Sequence, residues 1–322
     1  MPTLALPLSL MLSLTLALAG CQTPPAAAPA SAPPAERQAC VNDTDICYVE
    51  QGQGVPVVFV HGSMSDQRVW DAYRPQVAAR YRCIAVNQRY FGPQPWADSG
   101  ARFSQPTHAA DLTAFIQSLG AGPVHVVAWS CGGSVATLAA SQHPELLRSL
   151  TLHQPTIGSL IADTPEGRAA IAAFGGKVGR SRAVANAGDT PAAMRQFWEF
   201  VLQLPPGGFD TEPAAEQRMV LDKQRTVPLT LNAPPQPISC ERVGAIRAPT
   251  LVTVGADTRP LLALSAAAWQ RCAAQAELVT LQNSDHDAVV RSPQALTAGP
   301  CCVADAISGA ALTTPTPHRE HP

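Results

Sequence analysis

The feature that most limits what this chain can fold into is a recurring alternation of short apolar runs with longer segments of helical periodicity. The runs are Val55 to Val60, Tyr81 to Val86, Val124 to Trp129, Ser149 to His153, Pro249 to Val254 and Glu277 to Leu281. Val55 to Val60 is apolar almost throughout, which is the pattern of a strand covered on both faces. Between the runs, Leu112, Phe115, Ile116 and Leu119 recur at helical spacing within His108 to Leu119, and Gly120 closes that helix. Ser134 to Gln142 reads as another helix, broken by His143-Pro144-Glu145. Strands separated by helices of this length need crossover connections, which are right-handed and produce a largely parallel sheet. The fold class is therefore α/β, and 322 residues at 46% hydrophobic suffice for one large core with an insertion.

Within that frame, Val124 to Gly133 reads Val-His-Val-Val-Ala-Trp-Ser-Cys-Gly-Gly: strand, tight turn, helix. A serine on such a turn is lifted clear of the sheet with its Oγ exposed, and nearby glycines let the backbone fold sharply without a Cβ clash. Ser130 is thus the candidate nucleophile. Ala128-Trp129-Ser130-Cys131-Gly132 resembles the Gly-x-Ser-x-Gly elbow of the α/β-hydrolase family, with Ala128 in place of the first glycine. The resemblance implies a mostly parallel central sheet flanked by helices, with a helical cap insertion over the site. His61-Gly62-Ser63, directly after the first buried run, is similar to the family's pair after its third strand. By that resemblance the backbone N–H groups of Ser63 and Cys131 form the oxyanion hole, where two preset donors would stabilise an acyl-transfer intermediate. His61 itself is expected to be structural.

The order Ser130, Asp257, His286 completes the likeness. Asp257 follows a late strand and His286 the final one, as in the family's catalytic triad. The alternative position for the acid, after the strand ending at His153, offers Gln154-Pro155 and no carboxylate, which favours Asp257. Asp285 and Asp287 are read as loop residues. The expected activity is that of a serine hydrolase cleaving a small carboxylic ester, or a related acyl substrate, through an acyl-enzyme and without a cofactor. Cofactor-free perhydrolysis, carbon–carbon bond hydrolysis and acyl transfer on the same fold stay open, as does a non-catalytic lipid-anchored binding protein. Epoxide hydrolases and haloalkane dehalogenases use a carboxylate nucleophile, which Ser130 is not.

The segments around this domain have their own signatures. Leu4 to Ala19 is apolar but too short to span a membrane comfortably, and Leu18-Ala19-Gly20-Cys21 resembles the lipobox of bacterial lipoproteins. The expectation is a signal peptide over 1–20, lipidation at Cys21 and a chain exported to the bacterial cell envelope, anchored there to a membrane by its lipid. A Pro/Ala-rich tether (21–37) leads to the hydrolase domain (38–297), and 298–322 is an irregular C-terminal tail. Residues 155–237 lack strong strand runs and contain helical stretches, clearest at Ala192 to Leu204, and read as the cap. There Phe197, Trp198, Phe200 and Phe209 are candidates either to line the pocket or to hold the cap together.

Cysteines and charge exclude other classes. A hairpin turn centred on Asp43-Thr44 would set Cys40 opposite Cys47 within disulfide reach, and Cys240 with Cys272 is the second candidate pair. None of the nine cysteines has the paired spacing of a zinc site, so no metal is implied. A net charge of −2 without a clustered basic face gives no case for nucleic acid. The expected partners are a small acyl substrate and, through Cys21, a membrane.

Overall fold

Every apolar run becomes a strand of one eight-stranded sheet in the computed structural model, which describes residues 34–96 and 98–291. The signal peptide, Cys21, most of the tether and the C-terminal tail lie outside the described residues. The strands are β1 (Ala35–Val41), β2 (Thr44–Gln51), β3 (Pro56–Val60), β4 (Arg82–Val86), β5 (Val124–Trp129), β6 (Leu147–His153), β7 (Thr250–Gly255) and β8 (Glu277–Leu281). Their order across the sheet is β1-β2-β4-β3-β5-β6-β7-β8. β2 runs antiparallel to both its neighbours, and every later pairing is parallel. This is the mostly parallel sheet of an α/β-hydrolase fold.

The helices α1 (Arg74–Ala78), α2 (Gln105–Ser118) and α3 (Cys131–Gln142) lie within the first half of the sheet's connections. Between β6 and β7 come α4 (Pro165–Asn186), α5 (Thr190–Val201), α6 (Ala214–Leu221), α7 (Val227–Asn232) and α8 (Cys240–Gly244), with no strand among them. α9 (Pro260–Cys272) joins β7 to β8, and α10 (Ala288–Arg291) closes the described chain. The two faces of β3 show how one run serves two cores, because successive side chains of a strand point to opposite sides. Val58 and Val60 join Leu112, Phe115 and Ile116 of α2, Leu138 of α3 and Trp269 of α9. Val57 and Phe59 join Trp70, Trp129 and the cap residues Phe197, Trp198 and Val201. Each of these large side chains, fully buried, contributes about 1.5–3 kcal/mol.

Caps and ion pairs set the boundaries. Ser104 Oγ accepts from the Thr107 N–H at 3.2 Å at the start of α2, and Thr164 Oγ1 accepts from the Gly167 N–H at 3.0 Å at the start of α4. Lys223 of the cap places its Nζ 2.6 Å from Asp66 Oδ2 on the loop after β3, and both side chains are buried. Arg68 shares that carboxylate at 2.7 Å, so the loop after β3 is tied to the cap by charge as well as by packing.

The hairpin corrects one expectation. Val41 pairs with Thr44, so the turn is Asn42-Asp43, with Asn42 in the left-handed region at φ 48°. Asparagine tolerates that conformation, which moves the turn one residue earlier than the sequence reading placed it. Cys40 then faces Asp45 and Cys47 faces Gln38, and both cysteines are free thiols. Among the described residues the disulfide is Cys240–Cys272, which staples α8 to the end of α9 with Cα atoms 5.0 Å apart.

Candidate active site

Ser130 stands between β5 and α3 at φ 56° and ψ −123°, a conformation that a non-glycine residue keeps only where its surroundings over-determine it. Its N–H donates to the His153 carbonyl at 3.0 Å, and its own carbonyl accepts from the Gly133 N–H at 2.9 Å and the Thr156 N–H at 3.3 Å. Gly132 has no room for a side chain: a Cβ there would lie 2.3 Å from the His61 carbonyl oxygen. The elbow therefore presses directly on the loop after β3, and Gly62 of that loop would bring a Cβ within 3.1 Å of Ser130 Cβ. Ala128, in place of the first elbow glycine, is completely buried within β5, where its methyl group joins the core that holds Val60, its register partner on β3. Trp129 was not foreseen as a site residue. Its indole N–H donates to the His286 carbonyl at 3.2 Å and joins the serine's strand to the histidine's loop.

His286, on the loop after β8, places Nε2 3.0 Å from Ser130 Oγ. Its Nδ1 faces Gln154 Oε1 at 2.9 Å. Gln154 is fully buried at the exit of β6 and held at φ 47°. The same Oε1 accepts from Thr258 Oγ1 at 2.7 Å, and the Gln154 amide nitrogen donates to the Asp285 carbonyl at 3.0 Å. The bond to that carbonyl, which can only accept, orients the amide with its oxygen toward the ring. His286 therefore carries its proton on Nδ1 and turns the Nε2 lone pair to the serine.

Asp257 is not on that ring, which corrects the acid assignment. The residue is exposed, its N–H donates to the Ser284 carbonyl at 2.9 Å, and its carbonyl accepts from the Gln203 amide at 3.0 Å. β7 ends at Gly255, so tightly against the histidine loop that a Cβ would lie 2.3 Å from the Ser284 carbonyl oxygen. The turn that follows points Asp257 outward and brings Thr258 inward to Gln154. The exit of β6, set aside because it carries no carboxylate, supplies the group beside the histidine.

Burial pushes the His286 imidazole down to about 3, with His153 and Arg259 acting in the same direction and Asp285 against it. The rings of His153 and His286 lie 6.4 Å apart and nearly parallel. His61 is held by backbone on both sides: Nδ1–H donates to the Gly62 carbonyl at 2.7 Å and Nε2 accepts from the Gln88 N–H at 3.1 Å. Burial lowers it to about 4, so it is a neutral strut of the loop and not a base.

Ser130 and His286 open onto a cavity of about 330 Å³. Ser63 and Cys131 line it beside the serine, and Cys131 begins α3, where the first N–H groups have no intrahelical partner. Burial pushes the Cys131 thiol up, so it stays protonated. The walls are apolar, with Ile171, Phe174 and Val178 from α4 and Phe197, Trp198 and Val201 from α5. Of the four cap aromatics singled out, Phe197 and Trp198 line the cavity. Phe200 stacks beneath Arg259 at 4.2 Å, and Phe209 is fully buried in the core that the cap shares with one face of the sheet. Among the described residues, no group of three or more His, Cys, Asp or Glu side chains is placed to hold a metal ion.

Residues 55–290 match the alpha/beta hydrolase fold family, and the chain belongs to that family. It is similar to a pimeloyl-acyl-carrier-protein methyl ester esterase of Aeromonas hydrophila subsp. hydrophila, 36% identical over 99 residues that make up 31% of this chain and 37% of the esterase. It is also similar to a haloalkane dehalogenase of Mesorhizobium japonicum, 31% identical over 123 residues, or 38% of this chain and 39% of that one. The matches thus span well under half the length of either relative. Among solved structures, a thermophilic esterase from Thermogutta terrifontis shares the fold with a TM-score of 0.63 at 22% identity, over 82% of this chain and 96% of its own.

Proposed function

We propose that this protein is a serine hydrolase that cleaves a small carboxylic ester, or a related acyl substrate, through an acyl-enzyme. The observation that carries the reading is the 3.0 Å approach of His286 Nε2 to Ser130 Oγ, on a strained turn that opens into a mainly apolar cavity. Ser130 Oγ attacks the carbonyl carbon while its proton passes to His286 Nε2. The carbonyl oxygen becomes an oxyanion that the N–H groups of Ser63 and Cys131 receive. Collapse of the intermediate expels the alcohol, which takes the proton from Nε2. Water, deprotonated by the same nitrogen, attacks the acyl carbon, and the departing Ser130 oxygen recovers that proton as the carboxylic acid leaves.

The cavity favours an uncharged acyl group, because its walls are apolar and Arg182 is the one charged side chain among the described residues that line it. Dehalogenation, the activity named for one relative, uses a carboxylate where this chain has Ser130, so the ester reading takes precedence.

The test is labelling with a fluorophosphonate, read by mass spectrometry, beside Ser130→Ala and His286→Ala. Labelling at Ser130 that both variants lose supports the reading, and a folded protein that takes no label sinks it. Lipid anchoring at Cys21 is a separate part of the proposal. Incorporation of labelled palmitate that Cys21→Ala abolishes would support it, and an unlabelled exported protein would remove it.

A further inference from the structure

We infer that Gln154 is the positioning residue of this active site, an amide that sets the His286 tautomer where a carboxylate would set both tautomer and charge. The inference rests on the hydrolase reading above. Three contacts show that the position is built for an amide and not merely vacated by an acid. Oε1 takes two donors, His286 Nδ1 at 2.9 Å and Thr258 Oγ1 at 2.7 Å. Nε2 gives a hydrogen bond to the Asp285 carbonyl at 3.0 Å. A carboxylate would serve the two donors but would set its second oxygen against that carbonyl, acceptor facing acceptor. A flipped amide would turn N–H toward the ring, force the proton onto Nε2 and leave Ser130 without a base. The Asp285 carbonyl, which can only accept, prevents the flip.

The consequence is a base without a counter-charge in contact. Around the ring, β6 contributes His153, the start of α9 contributes Arg259, and the ring's own loop contributes Asp285 and Asp287. The Asp285 carboxylate is directed instead to the Gln203 amide at 2.8 Å and the Asp287 N–H at 2.8 Å. The imidazolium formed when Ser130 attacks is therefore supported by an amide dipole and by a carboxylate engaged elsewhere. The ring stays unprotonated well into the acid range, and each proton transfer has a smaller driving force than a contacting carboxylate would give it.

The experiment compares Gln154→Glu, Gln154→Ala and Asp257→Asn with the unaltered chain by two readouts: NMR titration of the His286 ring between pH 5 and 9, and the pH dependence of fluorophosphonate labelling. In the unaltered protein the ring is expected to stay neutral throughout that range. Gln154→Glu brings its titration into the range and moves the acid limb of labelling up by a pH unit or more. Gln154→Ala slows labelling by about a hundredfold, the scale of a general base that has lost its orientation. Asp257→Asn, which alters an exposed side chain off the ring, leaves both readouts unchanged. The inference is overturned if Asp257→Asn moves the ring titration or costs a hundredfold in rate, or if Gln154→Glu leaves the titration where it was. The ring titration reports on Gln154 whether or not Ser130 takes the label, so failure of the hydrolase reading is told apart from failure of this one.

Discussion

Removing the Cys240–Cys272 bridge measures how far the site depends on a staple placed behind it. The bridge closes a segment with a sequence separation of 32 that contains β7, the turn carrying Thr258, and α9. In the chain-entropy account, a closed loop of that length restricts the unfolded chain by about 12 cal/mol/K, or about 3.7 kcal/mol at 25 °C. For a domain of this size each kcal/mol moves Tm by about 2–4 °C, so the double variant Cys240→Ser/Cys272→Ser should melt about 7–15 °C lower. The assay is differential scanning calorimetry of the oxidised protein and the variant, with thiols counted by alkylation and mass spectrometry in denaturant. Cys40→Ser/Cys47→Ser serves as the control and should leave Tm within a degree or two, because both thiols are free. A Tm change under about 2 °C, in a protein whose bridge is verified by mass, would refute the entropic reasoning. A large change in the control would refute the pairing.

Three further outcomes follow from the same geometry. Gly132→Ala forces a Cβ to within 2.3 Å of the His61 carbonyl, so the loop after β3 must move, and Ser130 labelling should fall by at least about a hundredfold in a protein that still folds. On α4, Gly176 is exposed and a Cβ there meets nothing within 4 Å, so Gly176→Ala should raise stability by about 0.5–1 kcal/mol in urea unfolding, and a loss would show an unseen contact. The pH dependence turns on two opposed sets of groups. Burial holds His61, His108, His125 and His153 at about 4 and His286 at about 3, below their unfolded values. Their contribution is present above about pH 6.5 and is lost as pH falls. Burial, with acidic neighbours, raises Asp287 and Glu216 to about 7, so their contribution is present in acid and is lost as pH rises through 7. Five protons taken up on unfolding against two released leave a net of three, so stability should fall by up to about 4 kcal/mol per unit between pH 6 and 5. A flat or rising stability in urea titrations over that interval would contradict the assignment of neutral buried histidines.

The parts of this protein legible in its sequence were those governed by local periodicity. Val55 to Val60 announced a strand buried on both faces because every residue but one is apolar, and α2 announced itself through Leu112, Phe115 and Ile116. The elbow was legible because a serine followed by two glycines after an apolar run has few ways to fold, and the structure puts Ser130 at a positive φ there. That His286 lies beside Ser130 was legible because the final strand delivers whatever follows it to the same edge of the sheet.

What only the tertiary structure decided was which groups meet across loops. The hairpin register turned on Asn42 taking a left-handed conformation, and that one-residue choice separated Cys40 from Cys47. The partner of His286 turned on the packing of Gly255 against Ser284, which sends Asp257 to solvent and Thr258 inward to Gln154. Chemical type argued for the carboxylate, because an acid is the ordinary partner of a catalytic histidine. Geometry selected the amide, because Gln154 alone among these side chains meets a ring N–H, a hydroxyl and a backbone carbonyl with the donors and acceptors each requires. Sequence periodicity sets which elements form and which edge of the sheet they serve; the contacts made at that edge depend on turns whose direction is settled only when the core behind them is packed.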